Sequence, residues 1–235
     1  MKKAAVLVLG VLAAGAAAAQ DGGAVWSGEA ELGIVATEGN TETQTINAKA
    51  KAVNERDKWK HQASVDALNT EDNDTTTAER YTLTGKTSYK LSVRDYLFGI
   101  VTYEDDRFSG YDWRASEAVG YGRRVIAQED LELDLEAGVG ARQSKLDNGT
   151  EEDEGLIRLY GLLAWDVSDT SKFTQELSSE IGEDTTISKS VTGLKSQING
   201  SLAMKLTYSV KHVSDVPPGI EKVDRKTAVT LVYSF

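Results

Sequence analysis

The strongest constraint in this chain is a two-residue alternation of side-chain character that recurs in about twelve segments. In the last segment Thr227, Val229, Leu231, Tyr233 and Phe235 point one way, and Ala228, Thr230, Val232 and Ser234 the other. The segment before it sets Leu202, Met204, Leu206, Tyr208 and Val210 against Lys205, Thr207, Ser209 and Lys211. Further back, Leu131, Leu133, Leu135, Ala137 and Val139 oppose Glu132, Asp134, Glu136 and Gly138. Tyr81, Leu83 and Tyr89 oppose Arg80, Lys86 and Lys90, while Trp26, Ala30, Leu32 and Ile34 oppose Glu29 and Glu31. A helix cannot sustain this pattern, because its apolar stripe recurs at every third and fourth residue. The other strands are read at 42–54, 58–69, 95–106, 112–125, 152–166, 171–183 and 187–199. Within 187–199, Ile187 and Val191 are out of phase with Leu194 and Ile198, which predicts a bulge or a shifted boundary.

The N-terminus reads as a secretory signal. Lys2 and Lys3 precede an apolar stretch from Ala4 to Leu12, and Ala17 and Ala19 frame an A-x-A site, so cleavage is expected before Gln20. This divides the chain into a signal peptide, 1–19, and one all-β domain, 20–235. The apolar run is shorter than the roughly 20 residues a membrane helix needs. Only helices and closed barrels satisfy their backbone in lipid, so a membrane location demands a barrel. The chain has no cysteine, which removes disulfides, thiolate metal sites and thiol nucleophiles. Without Lys2 and Lys3, 24 basic residues face 37 acids, a net charge of −13, which argues against nucleic acid as a partner. No cofactor is expected. The mean hydropathy of −0.36 fits a barrel, in which only alternate residues face lipid.

Strand alternation alone does not separate a membrane barrel from a soluble barrel or sandwich; three further features do. Every second connection is short: Asn54–Asp57, Ser92–Arg94, Ala127–Asp130, Ser168–Thr170 and the Asn199-Gly200 turn. The others, Thr70–Thr77, Arg107–Tyr111, Ser144–Asp153 and Asp215–Glu221, are expected to be long outer loops, although Thr37–Asn40 is tight. With both termini periplasmic, Trp26, Trp59, Tyr89, Trp165, Phe173, Tyr233 and Phe235 form one aromatic girdle, and Tyr81, Tyr103 and Trp113 the other. Finally, Val229, Leu231, Tyr233 and Phe235 place a terminal aromatic on an amphipathic strand, the kind of signal read by the barrel assembly machinery. The expected fold is therefore a transmembrane, antiparallel, up-and-down β-barrel of about 12 strands in the cell outer membrane, with lipid and lipopolysaccharide as its surroundings.

Several short motifs, in order, resemble a named family. They are Trp26-x-Gly28, Glu31-Leu32-Gly33, Gly39-Asn40-Thr41, Tyr103-Glu104-Asp105-Asp106-Arg107-Phe108, Gly120-Tyr121-Gly122 and Leu135-Glu136-Ala137-Gly138-x-Gly140. The tail adds Pro217-Pro218-Gly219, Lys222, Asp224 and Leu231-Val232-Tyr233-Ser234-Phe235. Nearly the whole mature chain resembles the salt-induced outer-membrane proteins, a domain-of-unknown-function family of barrels. The resemblance implies the location and an osmotic link, and no substrate or active site.

The lumen face is expected to be highly charged. Its acids include Glu29, Glu31, Glu132, Asp134 and Glu136, and its bases Arg80, Lys86, Arg114, Arg124, Arg142, Arg158 and Lys205. Two readings stand: a plug of cross-barrel ion pairs, or a narrow path with charge-tuned selectivity. From the acidic chain and acidic outer loops, such a path is expected to prefer cations. The loops at Glu71-Asp72-Asn73-Asp74, Asp105-Asp106, Glu151-Glu152-Asp153-Glu154 and Glu183-Asp184 suggest divalent cations as partners, against the plainer reading of solvated acids. Gly120-x-Gly122 and Gly138-x-Gly140 read as lumen-side spacers for bulky charges.

The chain is read as non-enzymatic. The one competing class is a phospholipid hydrolase using His212 and Ser214 as base and nucleophile on the lipid side, with Asp215 or Asp224 as orienting group. His61 is expected at the lipid boundary near Trp59. Intact-mass measurement of protein extracted from outer membranes is expected to give a chain beginning at Gln20; retention of residues 1–19 would overturn the cleavage reading.

Overall fold

A computed structural model describes residues 25–37, 43–73 and 75–235. The signal segment, with Ala17, Ala19 and Gln20, lies outside the described residues, as do Gly39-Asn40-Thr41 and Asp74. Twelve strands follow one another: β1 (Val25–Thr37), β2 (Thr43–Glu55), β3 (Trp59–Asp72), β4 (Thr75–Lys90), β5 (Asp95–Asp106) and β6 (Tyr111–Ala127), then β7 (Leu131–Leu146), β8 (Glu151–Ser168), β9 (Ser171–Gly182), β10 (Thr186–Gln197), β11 (Leu202–Val213) and β12 (Val223–Ser234). Each pairs antiparallel with its sequence neighbour, and β1 pairs with β12 to close the barrel. The closing ladder runs from Gly28, whose amide and carbonyl bond Phe235, to Leu32 opposite Leu231. By comparison, β1 and β2 pair from Val25–Glu55 to Thr37–Thr43. Closure leaves no unpaired sheet edge, the only way strands can live in lipid.

The polarity is inverted relative to a soluble protein. Leu32, Ile34, Leu83, Val101, Val119, Val139, Ile157, Leu177, Leu194, Leu206, Val229 and Leu231 are all exposed on the outside. Glu31, Arg114, Glu136, Arg142, Arg158 and Lys211 are buried inside. Such an exterior requires hydrocarbon around it, so the molecule is an outer-membrane β-barrel. Trp26, Trp59, Trp165, Tyr233 and Phe235 are exposed near the starts of β1 and β3 and the ends of β8 and β12, all on one rim, here called the terminal rim. Trp59 stacks on His61 at 5.8 Å and meets Tyr89 edge-on at 4.9 Å. Near the opposite, loop rim, Trp113 stacks on Tyr103 at 6.3 Å.

Three expectations are corrected. First, β10 has no bulge: its register is unbroken from Thr186 to Ser196 against β9 and from Ile187 to Gln197 against β11. Ile187 and Val191 simply face the lumen with Lys189, while Leu194 is exposed outside. Second, two supposed long outer loops are mostly strand. β3 and β4 pair as far as Asp72–Thr75, and β7 and β8 as far as Lys145–Glu151, because Thr-rich and charged segments beyond the lipid still continue their ladders. Glu71 and Asp72 therefore belong to β3, and Glu151 to Glu154 belong to β8. Third, the Asn199-Gly200 turn is a four-residue connection in which Asn199 Oδ1 accepts from the amides of Ser201 and Leu202, both at 3.0 Å.

The paired glycines make room for rings rather than charges. A Cβ at Gly120 would strike the Ala137 carbonyl and lie 2.8 Å from Phe98 Cε1, one at Gly138 would lie 2.6 Å from the Val119 carbonyl and 3.1 Å from Phe98 Cζ, and one at Gly122 would strike the Tyr96 ring. At Gly140 it would strike the backbone carbonyl of Glu117, which cannot move without opening the β6–β7 ladder. Gly140→Val is expected to destabilise the folded barrel by about 1–3 kcal/mol, as overpacking does; thermal loss of the β signal by circular dichroism in micelles checks this, and an unchanged transition would overturn it.

Candidate functional site

The candidate site is the lumen, and ion pairs organise it in tiers. At the terminal rim the pairs join strands one to three positions apart in the ring. Lys90 meets Glu55 at 2.5 Å, Lys172 meets Asp166 at 3.1 Å, and Arg124 holds Asp134 through Nε at 2.9 Å and Glu132 through Nη1 at 3.0 Å. From β1, Glu31 reaches over β12 to Lys205 on β11 (2.8 Å), and Glu29 over β12 and β11 to Lys195 on β10 (2.6 Å).

In the midsection Glu136 on β7 is the node. Its side chain is 1 % exposed; it bonds Lys86 of β4, accepts from the Tyr96 hydroxyl at 2.7 Å, and lies 3.6 Å from Arg158 Nη1. The two cations sit over aromatic faces: Lys86 over Phe98 and Tyr160, both at 5.2 Å, and Arg158 over Tyr160 at 5.0 Å. Desolvated cations recover from such faces part of what they lose in hydration. Sequence alternation placed these charges inside but gave no sign of the rings, since Tyr96 and Phe98 lie on a strand apolar on both faces.

Near the loop rim a pair spans the whole lumen. Glu104 on β5 meets Lys211 on β11 at 2.6 Å, six strands apart in the ring of twelve and hence directly opposite. Arg114 Nη2 lies 3.6 Å from the same carboxylate, with its guanidinium 4.3 Å from the Tyr111 ring. Beside them Arg142, 2 % exposed, holds Glu154 through Nε at 3.0 Å and Nη2 at 2.6 Å, and donates to the Thr185 carbonyl. Above this tier the Ser214–Lys222 connection crosses the mouth. Gly110, in the turn between β5 and β6 on the far side, has φ +79°, and a Cβ there would lie 2.9 Å from Pro217 Cγ and 3.2 Å from Ile220 Cγ1. The connection is thus a strap over the opening.

Between these tiers the lumen is not filled. A cavity of about 300 Å³ is lined by residues of β2 through β11, and a second of about 110 Å³ shares Lys49, Asp66, Thr82 and Lys189 with it. The larger is bordered by eight Lys and Arg side chains against four carboxylates. Lys189, Lys195 and Lys226 were missed as lumen residues. Counting back by twos from Lys195 finds Lys189 once Ile187 and Val191 are allowed inside, and Lys226 needs β12 to begin at Val223. The arrangement lies between the two sequence readings: one pair crosses the lumen directly, and space remains beside it.

The remaining candidates are dispersed. Ser214 lies beyond the end of β11 and its Oγ accepts from the Thr186 amide at 2.8 Å; among the described residues no hydrogen bond joins it to His212. His61 Nδ1 lies 3.0 Å from Thr87 Oγ1. Among the described residues no three Asp, Glu or His side chains converge as a metal-binding group.

Glu136→Ala leaves Lys86 and Arg158 charged in a dry environment, and is expected to cost about 3–5 kcal/mol. Lys172→Ala, at an exposed pair, is expected to cost about 1 kcal/mol or less. Urea unfolding of refolded protein followed by tryptophan fluorescence compares them, and equal midpoints would refute the tiered account.

The chain resembles known proteins at two levels, fold and family. Three solved outer-membrane barrels share the fold: the translocator domain of the autotransporter NalP from Neisseria meningitidis (13% identity, TM-score 0.50, 98% of this chain and 96% of that one), the NanC porin (10%, 0.54, 89% and 98%) and the COG4313 outer membrane channel from Pseudomonas putida F1 (12%, 0.53, 92% and 97%). The Escherichia coli (strain K12) "Uncharacterized protein YdiY" is 31% identical over 216 residues, 89% of this chain and 83% of that protein. Residues 30–235 match the family described as "Protein of unknown function, DUF481", and with that span and that relative the chain belongs to this family of outer-membrane barrels.

Proposed function

We propose that the protein is a narrow passive channel of the outer membrane, non-catalytic and selective for small anions. The observation that carries the reading is the excess of cations at the cavity wall, eight against the four carboxylates that line it and the two outside it, Glu136 and Glu154, that pair with Lys86, Arg158 and Arg142. This replaces the cation preference expected from net charge. Selectivity follows the charges a permeating ion touches, in a confined, weakly screening lumen. Acidic residues on the outside are screened over about 8–10 Å by physiological salt. The Glu104–Lys211 pair crosses this path beneath the strap, and together they exclude large solutes. Such a path suits the osmotic link implied by the family resemblance, because it exchanges small anions without opening the envelope to larger molecules.

Refolded protein in planar bilayers under a KCl gradient is the test. The expected result is single-channel steps with a reversal potential of anion-selective sign. Glu104→Ala is expected to enlarge the steps, and Lys51→Glu with Lys189→Glu to move the reversal potential toward cations. A cation-selective wild-type channel, or no steps from protein that has folded, would overturn the proposal.

A further inference from the structure

We infer that the lumen midsection is a binding site for a small polyhydroxylated acid, a single sugar ring carrying a carboxylate. This deepens the channel reading and relies on it for access. The first observation is a set of uncommitted cations. Among the described residues Lys51 on β2, Lys189 on β10 and Lys226 on β12 have no carboxylate within 4.0 Å, and Lys226 donates instead to Asn47 Oδ1 at 3.1 Å. These three line the two adjoining cavities. Behind the same space the Nη1 atoms of Arg114, Arg142 and Arg158 are buried without a hydrogen-bond acceptor. Those of Arg142 and Arg158 lie 3.7 Å and 3.6 Å from Glu180 and Glu136, so their charge is partly met. The lysines carry the excess, and an oxyanion entering the cavity meets in Lys51 and Lys189 charge-assisted donors that, among the described residues, no protein group occupies.

The second observation is a row of hydroxyls. Ser64, Thr84, Thr102 and Ser178 line the larger cavity, and among the described residues their side chains make no hydrogen bond. Glu176, also on the wall, has no cation within 4.0 Å and offers an acceptor. A simple oxyanion such as phosphate or acetate would use the lysines and leave this row idle. An uncharged sugar would use the row and leave the lysines unmet. A sugar acid uses both. Volume points the same way: about 300 Å³ is at the small end for ligand sites and suits one ring rather than a chain of them.

The test is titration calorimetry on refolded protein in detergent micelles, with sodium glucuronate as probe beside glucose, acetate and inorganic phosphate. Glucuronate is expected to bind saturably, and the other three about tenfold or more weakly, the effect of losing hydrogen bonds to a charged group. Lys51→Gln and Lys189→Gln are each expected to weaken glucuronate by a similar factor, while Lys172→Gln, in a terminal-rim pair with Asp166, leaves it unchanged. Should the lysine variants fail to fold, glucuronate block of current through the wild-type channel gives the same answer, with acetate and phosphate as comparison. Binding of acetate or phosphate as tight as glucuronate, absence of any binding, or binding indifferent to both lysines would overturn the site. Absence of binding with an anion-selective current removes the site and leaves the channel. Glucuronate binding with a cation-selective current removes the channel reading and leaves the site.

Discussion

A strand in hydrocarbon has no water to satisfy its amides and carbonyls, and each unmet group costs several kcal/mol. Everything else in this molecule follows from that demand. The ladder must run unbroken around the ring, so the chain meanders as hairpins and returns β12 to β1. Once the ladder is closed, the pleat sends alternate side chains to two opposite solvents. Leu83 and Leu231 can then be exposed, and Arg142 and Glu136 buried, without contradiction.

Closure also creates the problem that the lumen must solve. Long charged side chains from twelve strands meet in a confined space, where an isolated charge is costly. The barrel answers differently at each level. Near the terminal rim, pairs join strands one to three positions apart. At Glu136 the cations share one carboxylate and lean on aromatic faces, which glycines on β6 and β7 allow to lie close to the wall. At Glu104 and Lys211 the pair spans the diameter. Between these levels the pairing is incomplete, with Lys51, Lys189 and Glu176 facing a polar cavity. That incomplete pairing is where function has room, because neutralisation is left to whatever enters.

Much of this architecture was legible in the sequence because a pleat has an unvarying period. Leu131 to Val139 alternates so regularly that strand, face and lumen charge follow together. The failures came where one face was not uniformly polar. Ile187 and Val191 point into the lumen, and treating them as lipid-facing broke the phase of β10 and hid Lys189 and Lys195. Polar Thr75 to Thr77 looked like loop, yet threonine suits a strand and the ladder continued past the membrane. The partner of Glu104 could not have been read at all. Lys211 is 107 residues away, and only the ring order and the reach of two side chains bring them together. Net charge is a blunt guide to the lumen for a related reason: it sums loop, rim and lumen groups together, whereas a path through the barrel meets only the lumen groups.

The seam between β1 and β12 differs from the other contacts in kind. The other neighbouring pairs join strands adjacent in sequence and can form as local hairpins, whereas this one joins residues some 200 positions apart. It is also short, spanning Gly28 to Leu32, with the Phe235 ring resting where Gly28 leaves space. The barrel therefore has one mechanical zipper with few teeth among longer ones. Under pulling force or at the onset of denaturation, rupture should begin there, turning the cylinder into a sheet with two free edges before any hairpin is lost.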